Sequence, residues 1–187
     1  MWEAVERTPG QFNQTYLAEV ESLINRLGQK GIYTLVDAHQ DILARRICGE
    51  GIPNFYAVDL PRHCKGGNFS WFMETIGVCK SIQDYNFTYD SDGNPLISDC
   101  QKHNFAGYYP SPESVELFDR IYTNNETYKL QDKFIEYWKT VAAKYANNDY
   151  VVGFDPLNEP FPSAVFYDPS FVYVPGKFDL VHLEPLY

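Results

Sequence analysis

The sequence lacks any apolar run close to the roughly 18 residues that a membrane-spanning helix requires. It also lacks an excess of positive charge, because 15 Lys and Arg stand against 25 Asp and Glu, and the net charge is -10. An acidic surface repels nucleic acid and anionic membranes, so we expect neither as a partner. The first ten residues have neither the basic nor the apolar part of a secretion signal.

The composition predicts a folded chain. Hydrophobic residues make up 44% of the sequence and aromatic residues 17%, which is enough for a substantial core. We therefore expect residues 1–187 to belong to one compact domain and not to a disordered segment.

None of the four cysteines has the C-x-x-C spacing of a zinc or redox site. Two disulfides are the favoured interpretation. Sequential pairing, Cys48 with Cys64 and Cys79 with Cys100, is preferred over the other two connectivities because it closes short loops. Four reduced thiols in a cytosolic protein are the alternative.

Four Asn-X-Ser/Thr sequons, more than random placement predicts, are candidate glycosylation sites: Asn13, Asn68, Asn86 and Asn125. With the disulfides, they predict a secreted protein or one in a lysosomal or digestive lumen. Such a protein needs a signal, so we expect this chain to be an internal piece of a longer one, with Met1 an internal residue.

Apolar residues recur at helical spacing in two segments, each followed by a short β-rich run. The first segment is followed by Ile32 to Val36, which we predict to be a strand buried on both faces. The second is followed by a strand from Tyr150 to Phe154. The helix faces comprise Tyr16, Val20, Leu23, Ile24 and Leu27, and Leu130, Phe134, Tyr137, Trp138, Val141 and Tyr145. Alternating helices and strands predict an α/β fold with parallel strands.

A long connection, residues 41–129, separates the first strand from the second helix and holds all four cysteines. Within it, Ser111 to Tyr122 predicts a helix with Ser111 as its cap and Pro112 at its first position. Connections of this length in compact domains are usually functional. We expect this insertion to lie over the carboxyl ends of the strands, where sites of parallel β/α folds are built.

Ionisable groups follow both predicted strands. The first strand leads into Asp37, His39, Gln40 and Asp41, and the second leads into Asn158 and Glu159. Hydrolysis of a glycosidic bond needs a carboxylic acid that protonates the leaving oxygen and a neighbour that holds the sugar. Glu159 and Asn158 fit this requirement. Ordinary solvated strand ends, and a histidine satisfied within the core, are the alternatives.

Four motifs, in order and across most of the chain, resemble endoglycoceramidases and glucosylceramidase-like relatives in glycoside hydrolase family 5. The motifs are "WEAVE" (2–6), "GIYTLVDAHQD" (31–41), "CGEGIPNFYA" (48–57) and "VVGFDPLNEPFPS" (151–163). The resemblance implies a (β/α)8 barrel of which this chain supplies about the second to fourth units, with the insertion after the third strand. It also implies a retaining hydrolase that separates the glycan of a glycosphingolipid from ceramide.

The resemblance implies roles for the strand-end residues. Glu159 is the expected acid/base, Asn158 the hydrogen-bond partner of the sugar 2-hydroxyl, and His39 a lining residue of the same subsite. Asp37, Gln40 and Asp41 are expected to orient His39 or contact sugar hydroxyls. No metal or organic cofactor is expected, because two carboxyl groups suffice for the reaction.

The same resemblance implies that parts of the barrel lie outside this sequence. Trp2 and Glu3 match the end of the second strand, and Phe178 to Tyr187 precedes the fifth. The nucleophilic Glu is expected downstream and is not Glu184, so the chain alone is expected to be inactive. Two alternatives stay open: a β-glucosidase acting on glucosylceramide or a steryl glucoside, and a non-catalytic glycolipid-binding relative.

Overall fold

The computed structural model describes residues 2–186; Met1, the expected internal residue, lies outside this range, as does Tyr187. Short 3-10 and π turns join the regular elements. The helices and strands are α1 (Trp2–Val5), β1 (Glu6–Thr8), β2 (Gln11–Phe12), α2 (Gln14–Gly28), β3 (Thr34–Asp37), α3 (Asn68–Thr75), α4 (Ile97–Cys100), α5 (Pro112–Thr123), α6 (Leu130–Tyr145), β4 (Val151–Asp155) and α7 (Ser170–Tyr173). Within residues 2–186, no helix is long and apolar enough to cross a membrane.

Strands β3 and β4 pair in parallel, which confirms the predicted arrangement. Asp37 at the end of β3 lies opposite Asp155 at the end of β4. The helices that precede them contact each other, and the buried hydroxyl of Tyr145 donates to the carbonyl of Leu17 at 2.9 Å. These two β/α units therefore position the residues at the strand ends.

Helices α5 and α6 form where the sequence predicts them. The hydroxyl of Ser111 caps α5 by accepting from the backbone N–H of Ser114 at 3.2 Å. All the predicted apolar positions of α6 are buried except Trp138, which is half-buried. The indole of Trp138 donates to the carbonyl of Pro156 at 2.9 Å and so ties α6 to the segment after β4.

Helix α2 differs from its prediction at one position. Leu17 and Ile24 are buried, whereas Leu23, predicted on the core face, is 50% exposed. The fully buried residues of α2 are Leu17, Ile24 and Gly28, which are seven and four residues apart and lie on one face, and Leu23 lies outside that face.

The prediction that the first strand is buried on both faces is wrong for the described residues. Leu35 in β3 is 56% exposed and Val152 in β4 is 66% exposed. The reason is that β3 and β4 form a two-stranded sheet, which leaves its outer edges and part of its faces uncovered.

Trp2 and Glu3, predicted to end a strand, instead begin a helical turn. The indole of Trp2 donates to the buried carboxylate of Glu6 at 2.6 Å. Residues four apart lie next to each other on a helix, and the helical turn brings these two side chains within hydrogen-bond distance. Tyr56 of the insertion also donates to Glu6, at 2.8 Å.

The predicted disulfide connectivity is wrong. The bridges are Cys48–Cys100, with Cα atoms 5.6 Å apart, and Cys64–Cys79, with Cα atoms 6.5 Å apart. Loop length favoured sequential pairing, but the insertion folds back so that α4 brings Cys100 to the loop that carries Cys48. Buried residues of the insertion join the same hydrophobic cluster as α2 and α6.

Candidate active site

The two chain segments with the predicted site residues leave the sheet at the same edge. Asp37 and Asp155 end neighbouring parallel strands, and the backbone N–H of Ala38 donates to the carbonyl of Asp155 at 3.0 Å. The segment from His39 to Asp41 therefore lies beside Asn158 and Glu159, as expected from the two strand ends.

Gln40 joins the two segments. Its side chain is buried, and its amide nitrogen donates to the carbonyl of Asn158 at 2.6 Å and, more weakly, to that of Glu159 at 3.3 Å. The side-chain amide of Asn158 donates back to the carbonyl of Gln40 at 3.0 Å. The side-chain oxygen of Gln40, Oε1, accepts from the backbone N–H of Leu43 at 3.0 Å. With its side chain engaged at both ends, Gln40 is placed to position the turn.

The turn presents Glu159 to solvent. Its backbone has φ +41°, a left-handed conformation that is uncommon for a residue other than glycine, and its side chain is exposed. Among residues 2–186 no group donates a hydrogen bond to, or forms an ion pair with, the Glu159 carboxylate. A strained backbone that holds an unpartnered carboxylate at a strand end is typical of a functional position.

His39 lies between two carboxylates. Its Nδ1 is 3.0 Å from Oδ2 of Asp37, and its Nε2 is 3.3 Å from Oδ2 of Asp41. The hydrogen bond with Asp37, helped by the charges of both aspartates, raises the pKa of His39 above its ordinary value. Asp37 and Asp41 therefore orient the imidazole through both ring nitrogens.

Tyr109 is a site neighbour that the sequence does not reveal. Its hydroxyl donates to Oδ1 of Asp41 at 3.2 Å, and its ring packs 5.6 Å from the ring of Phe161. Burial and the nearby charge of Asp41 raise the pKa of Tyr109 to about 12, so it stays a donor. Tyr109 comes from the insertion, 68 residues from Asp41, and no spacing signal links the two.

Two glycines, Gly49 and Gly51, allow a close approach to the strained backbone that follows Asp41. Ile42 and Leu43 are buried with φ near +60°, which is strained for a β-branched residue. Asp41 and Glu50 exchange backbone hydrogen bonds of 2.9 and 2.7 Å. A Cβ at Gly49 would clash with the carbonyl oxygen of Asp41, and one at Gly51 would lie 2.6 Å from the Cβ of Gln40. The Gly-Glu-Gly sequence thus lets the insertion approach the site closely.

Comparisons with known proteins agree on one family. The profile of the cellulase family, glycosyl hydrolase family 5, matches residues 103–166, a range that includes Asn158 and Glu159. An endoglycoceramidase from Cyanea nozakii is 31% identical over 180 residues, an alignment that covers 96% of this chain and 33% of that protein. One from Hydra vulgaris is 29% identical, with 95% and 31% covered. The chain is thus similar to glycoside hydrolase family 5 over residues 103–166 and to endoglycoceramidases over almost all of its length.

Solved structures show that this chain shares its fold with part of endoglycoceramidase II from Rhodococcus sp.. The TM-score is 0.61 at 24% identity, and the superposition covers 91% of this chain and 32% of that one. The chain therefore spans about a third of the length of the relatives it matches. The roles predicted for the strand-end residues stay predictions.

A cleft of about 610 Å³ adjoins the candidate site. Its walls come mainly from the insertion, and the polar lining residues include Glu3, Asp41, Arg45 and Glu50. Burial and the neighbouring Glu50 raise the pKa of the Glu3 carboxyl. Ligand atoms of His39, Asp41 and Glu50 lie within 4.8 Å of one another and could reach one metal ion, so the prediction of no metal stays untested.

The pKa of His39 offers a test of this geometry. We expect its imidazole to titrate above the ordinary value and Asp37→Asn to lower the midpoint, because the hydrogen bond and the charge are lost together. The stabilising contribution of the pair is complete below the unfolded-state pKa and is lost as the pH rises through the folded-state pKa. The measurement is an NMR titration of the His39 ring, with Asp84→Asn, a carboxylate paired to Arg62, as the matched control. An unchanged midpoint in Asp37→Asn would contradict the assignment.

Proposed function

We propose that the protein containing this chain is a retaining glycoside hydrolase that cleaves the bond between the glycan and the ceramide of a glycosphingolipid. The observation that carries the proposal is the exposed, unpartnered Glu159 carboxylate, held beside Asn158 at the strand edge by Gln40. Glu159 protonates the ceramide oxygen as general acid and later activates water as general base. Asn158 and His39 hold the sugar next to the cleaved bond.

The substrate class rests on the relatives. The proteins from Cyanea nozakii and Hydra vulgaris, which match almost the whole chain, are endoglycoceramidases. Solved structures of endoglycoceramidase II from Rhodococcus sp. include a ganglioside GM3 complex and a lactosyl-enzyme intermediate. A covalent glycosyl-enzyme is the intermediate of a retaining mechanism, and we extend that mechanism to this protein.

In this proposal β3 and β4 are the third and fourth strands of a (β/α)8 barrel, and residues 41–129 form an insertion above it. A retaining mechanism needs a second carboxylate about 5 to 5.5 Å from the acid/base. We assign that nucleophile to a Glu beyond residue 187.

The two disulfides support an oxidising compartment outside the cytosol. We also propose glycosylation at the four sequons. Their asparagines are exposed at Asn68 and Asn86 and half-buried at Asn13 and Asn125.

Hydrolysis of glucosylceramide is the second candidate function. A glucosylceramidase from Aspergillus fumigatus is 28% identical over 173 residues, and one from Rhizopus delemar is 23% identical over 181 residues. Both reactions need the same acid/base and differ in how many sugars the site accommodates. Steryl glucosides would place the same demands on Glu159.

The experiment offers the full-length natural protein three fluorescent substrates: a glycosphingolipid with several sugars, glucosylceramide and a steryl glucoside. Release of ceramide together with an intact oligosaccharide is the expected result. Hydrolysis of glucosylceramide or the steryl glucoside alone would favour the second candidate. Binding without hydrolysis of any of the three would identify a non-catalytic relative and refute the proposal.

A further inference from the structure

The chain segment that follows Glu159 is bonded to helix α5 of the insertion. The hydroxyl of Tyr122 in α5 donates to the backbone carbonyl of Phe161 at 3.0 Å. The ring of Phe161 packs between two aromatic rings of the insertion, 5.6 Å from Tyr109 and 6.1 Å from Phe118. Both the backbone and the side chain of the residue two positions after Glu159 therefore rest on the insertion.

Asp119 of α5 holds the same segment farther along the chain. Its Oδ1 accepts from the hydroxyl of Ser163 at 3.2 Å and from that of Tyr167 at 3.0 Å. Burial and the charge of Asp119 raise the pKa of Tyr167 to about 12, so the hydroxyl stays a donor at neutral pH. Ser163 is fully buried, and a buried hydroxyl that loses its acceptor is destabilising.

The α5 residues that make these contacts lie on one side of the helix. Phe118 and Tyr122 are four residues apart, and Asp119 precedes Tyr122 by three. Residues three and four apart are neighbours on a helix surface. This side of α5 therefore contacts the segment through a ring, a carboxylate and a hydroxyl.

Helix α5 is itself anchored from its opposite side by a buried arginine. Arg120 is 1% exposed and donates to the carbonyls of Val58 and Asp59 at 2.7 and 3.0 Å. It also pairs with Glu116 at 2.8 Å. Because Arg120 follows Phe118 by two residues, roughly 200° around the helix, these bonds hold α5 on the side away from the segment.

Two prolines make the connection between Glu159 and these contacts stiff. Pro160 separates Glu159 from Phe161, and Pro162 separates Phe161 from Ser163. A proline ring fixes its own φ and restricts the residue before it, so few torsions along the segment are free to turn. A shift of the Phe161 carbonyl is therefore passed on to the backbone of Glu159.

We propose that Tyr122 is a positioning residue for the Glu159 carboxylate and that Asp119 supports it. Gln40 holds the segment from the end of β3, and Tyr122 holds it at Phe161 from the insertion. The strained backbone of Glu159 lies between these two hydrogen bonds, and such a conformation persists only where its surroundings enforce it. The inference rests on the proposed function, in which Glu159 is the acid/base.

The test compares kcat/KM of the full-length protein for a natural glycosphingolipid and for a dinitrophenyl glycoside, whose leaving group needs no proton. A smaller folded fraction lowers both values equally, so their ratio reports the position of the acid. Tyr122→Phe loses only the hydroxyl, and we expect the ratio to fall about tenfold, the free energy of one hydrogen bond expressed as a rate. Adding Asp119→Ala should bring the fall to about 100-fold, whereas adding Asp119→Asn, which keeps an acceptor oxygen, should not.

Tyr145→Phe is the matched control, because it removes a buried hydroxyl that donates to a backbone carbonyl between α6 and α2. It should leave the ratio constant. A constant ratio in Tyr122→Phe and in its double variant with Asp119→Ala would overturn the inference, because these contacts would then stabilise the fold alone.

Hydrogen exchange of residues 157–163 adds a measurement that does not depend on activity. We expect the backbone amides of this segment to exchange faster in Tyr122→Phe and at the normal rate in Tyr145→Phe. Equal exchange in the two variants would contradict the contact on which the inference depends. Failure of the proposed function gives a different result: exchange responds to Tyr122→Phe, but the natural protein hydrolyses neither substrate.

Discussion

Glu159→Gln is expected to lower the turnover of a natural glycosphingolipid by about 10²- to 10⁴-fold in the full-length protein, the usual contribution of general acid–base catalysis. The amide has almost the shape of the carboxylic acid but cannot supply a proton to the ceramide oxygen. Formation of the glycosyl-enzyme from a dinitrophenyl glycoside needs no such proton, because that leaving group departs as a stable anion. We therefore expect the first step with the activated substrate to stay close to normal.

The measurement compares burst and steady-state rates for both substrates. Glu126→Gln is the matched control, because Glu126 is highly exposed and pairs with Lys129 on the surface. It should leave both rates unchanged. Equal losses with the natural and the activated substrate would show that Glu159 does not act as the acid. The carboxylates to mutate next would then be Asp37, Asp41 and Glu50.

The sequence predicts elements whose cause is local. The apolar spacing of α6 and the Ser-Pro start of α5 act within one or two helical turns, and both helices form as expected. The parallel pairing of β3 with β4 follows from the order of helices and strands. The juxtaposition of the two strand ends follows in turn, because parallel neighbours deliver their carboxyl ends to one edge.

Features that depend on the path of the insertion could not be predicted in the same way. Cys48 pairs with Cys100, and Tyr109 reaches Asp41, only because some sixty residues fold back over the site. Loop-closure entropy changes slowly with length, so it discriminates poorly among disulfide connectivities. The role of Gln40 could not be predicted for the same reason. The sequence shows a polar residue after a strand, but it does not show that this residue contacts Asn158, 118 residues further along the chain.

Gln40→Leu is expected to reduce turnover of the natural substrate by about 100-fold, the loss that follows when a reacting group is misplaced by about an ångström. The buried leucine leaves the carbonyls of Asn158 and Glu159 without their donor and the N–H of Leu43 without its acceptor. Each buried group that loses its partner costs about 1–3 kcal/mol. The strained backbone at Glu159 then loses the contact that holds it, and the carboxylate moves away from the leaving oxygen.

The decisive quantity is the ratio of turnover numbers for the natural glycosphingolipid and the dinitrophenyl glycoside. A smaller folded fraction lowers both values equally and leaves the ratio unchanged, so the ratio reports the position of Glu159 even in a destabilised variant. We expect the ratio to fall in Gln40→Leu and to stay constant in Gln83→Leu, the matched change at an exposed glutamine of the insertion. A constant ratio in Gln40→Leu, with a lower melting temperature, would show that Gln40 stabilises the fold without positioning the acid. A falling ratio would show that one buried amide, reaching across from the end of β3, sets where the proton is delivered.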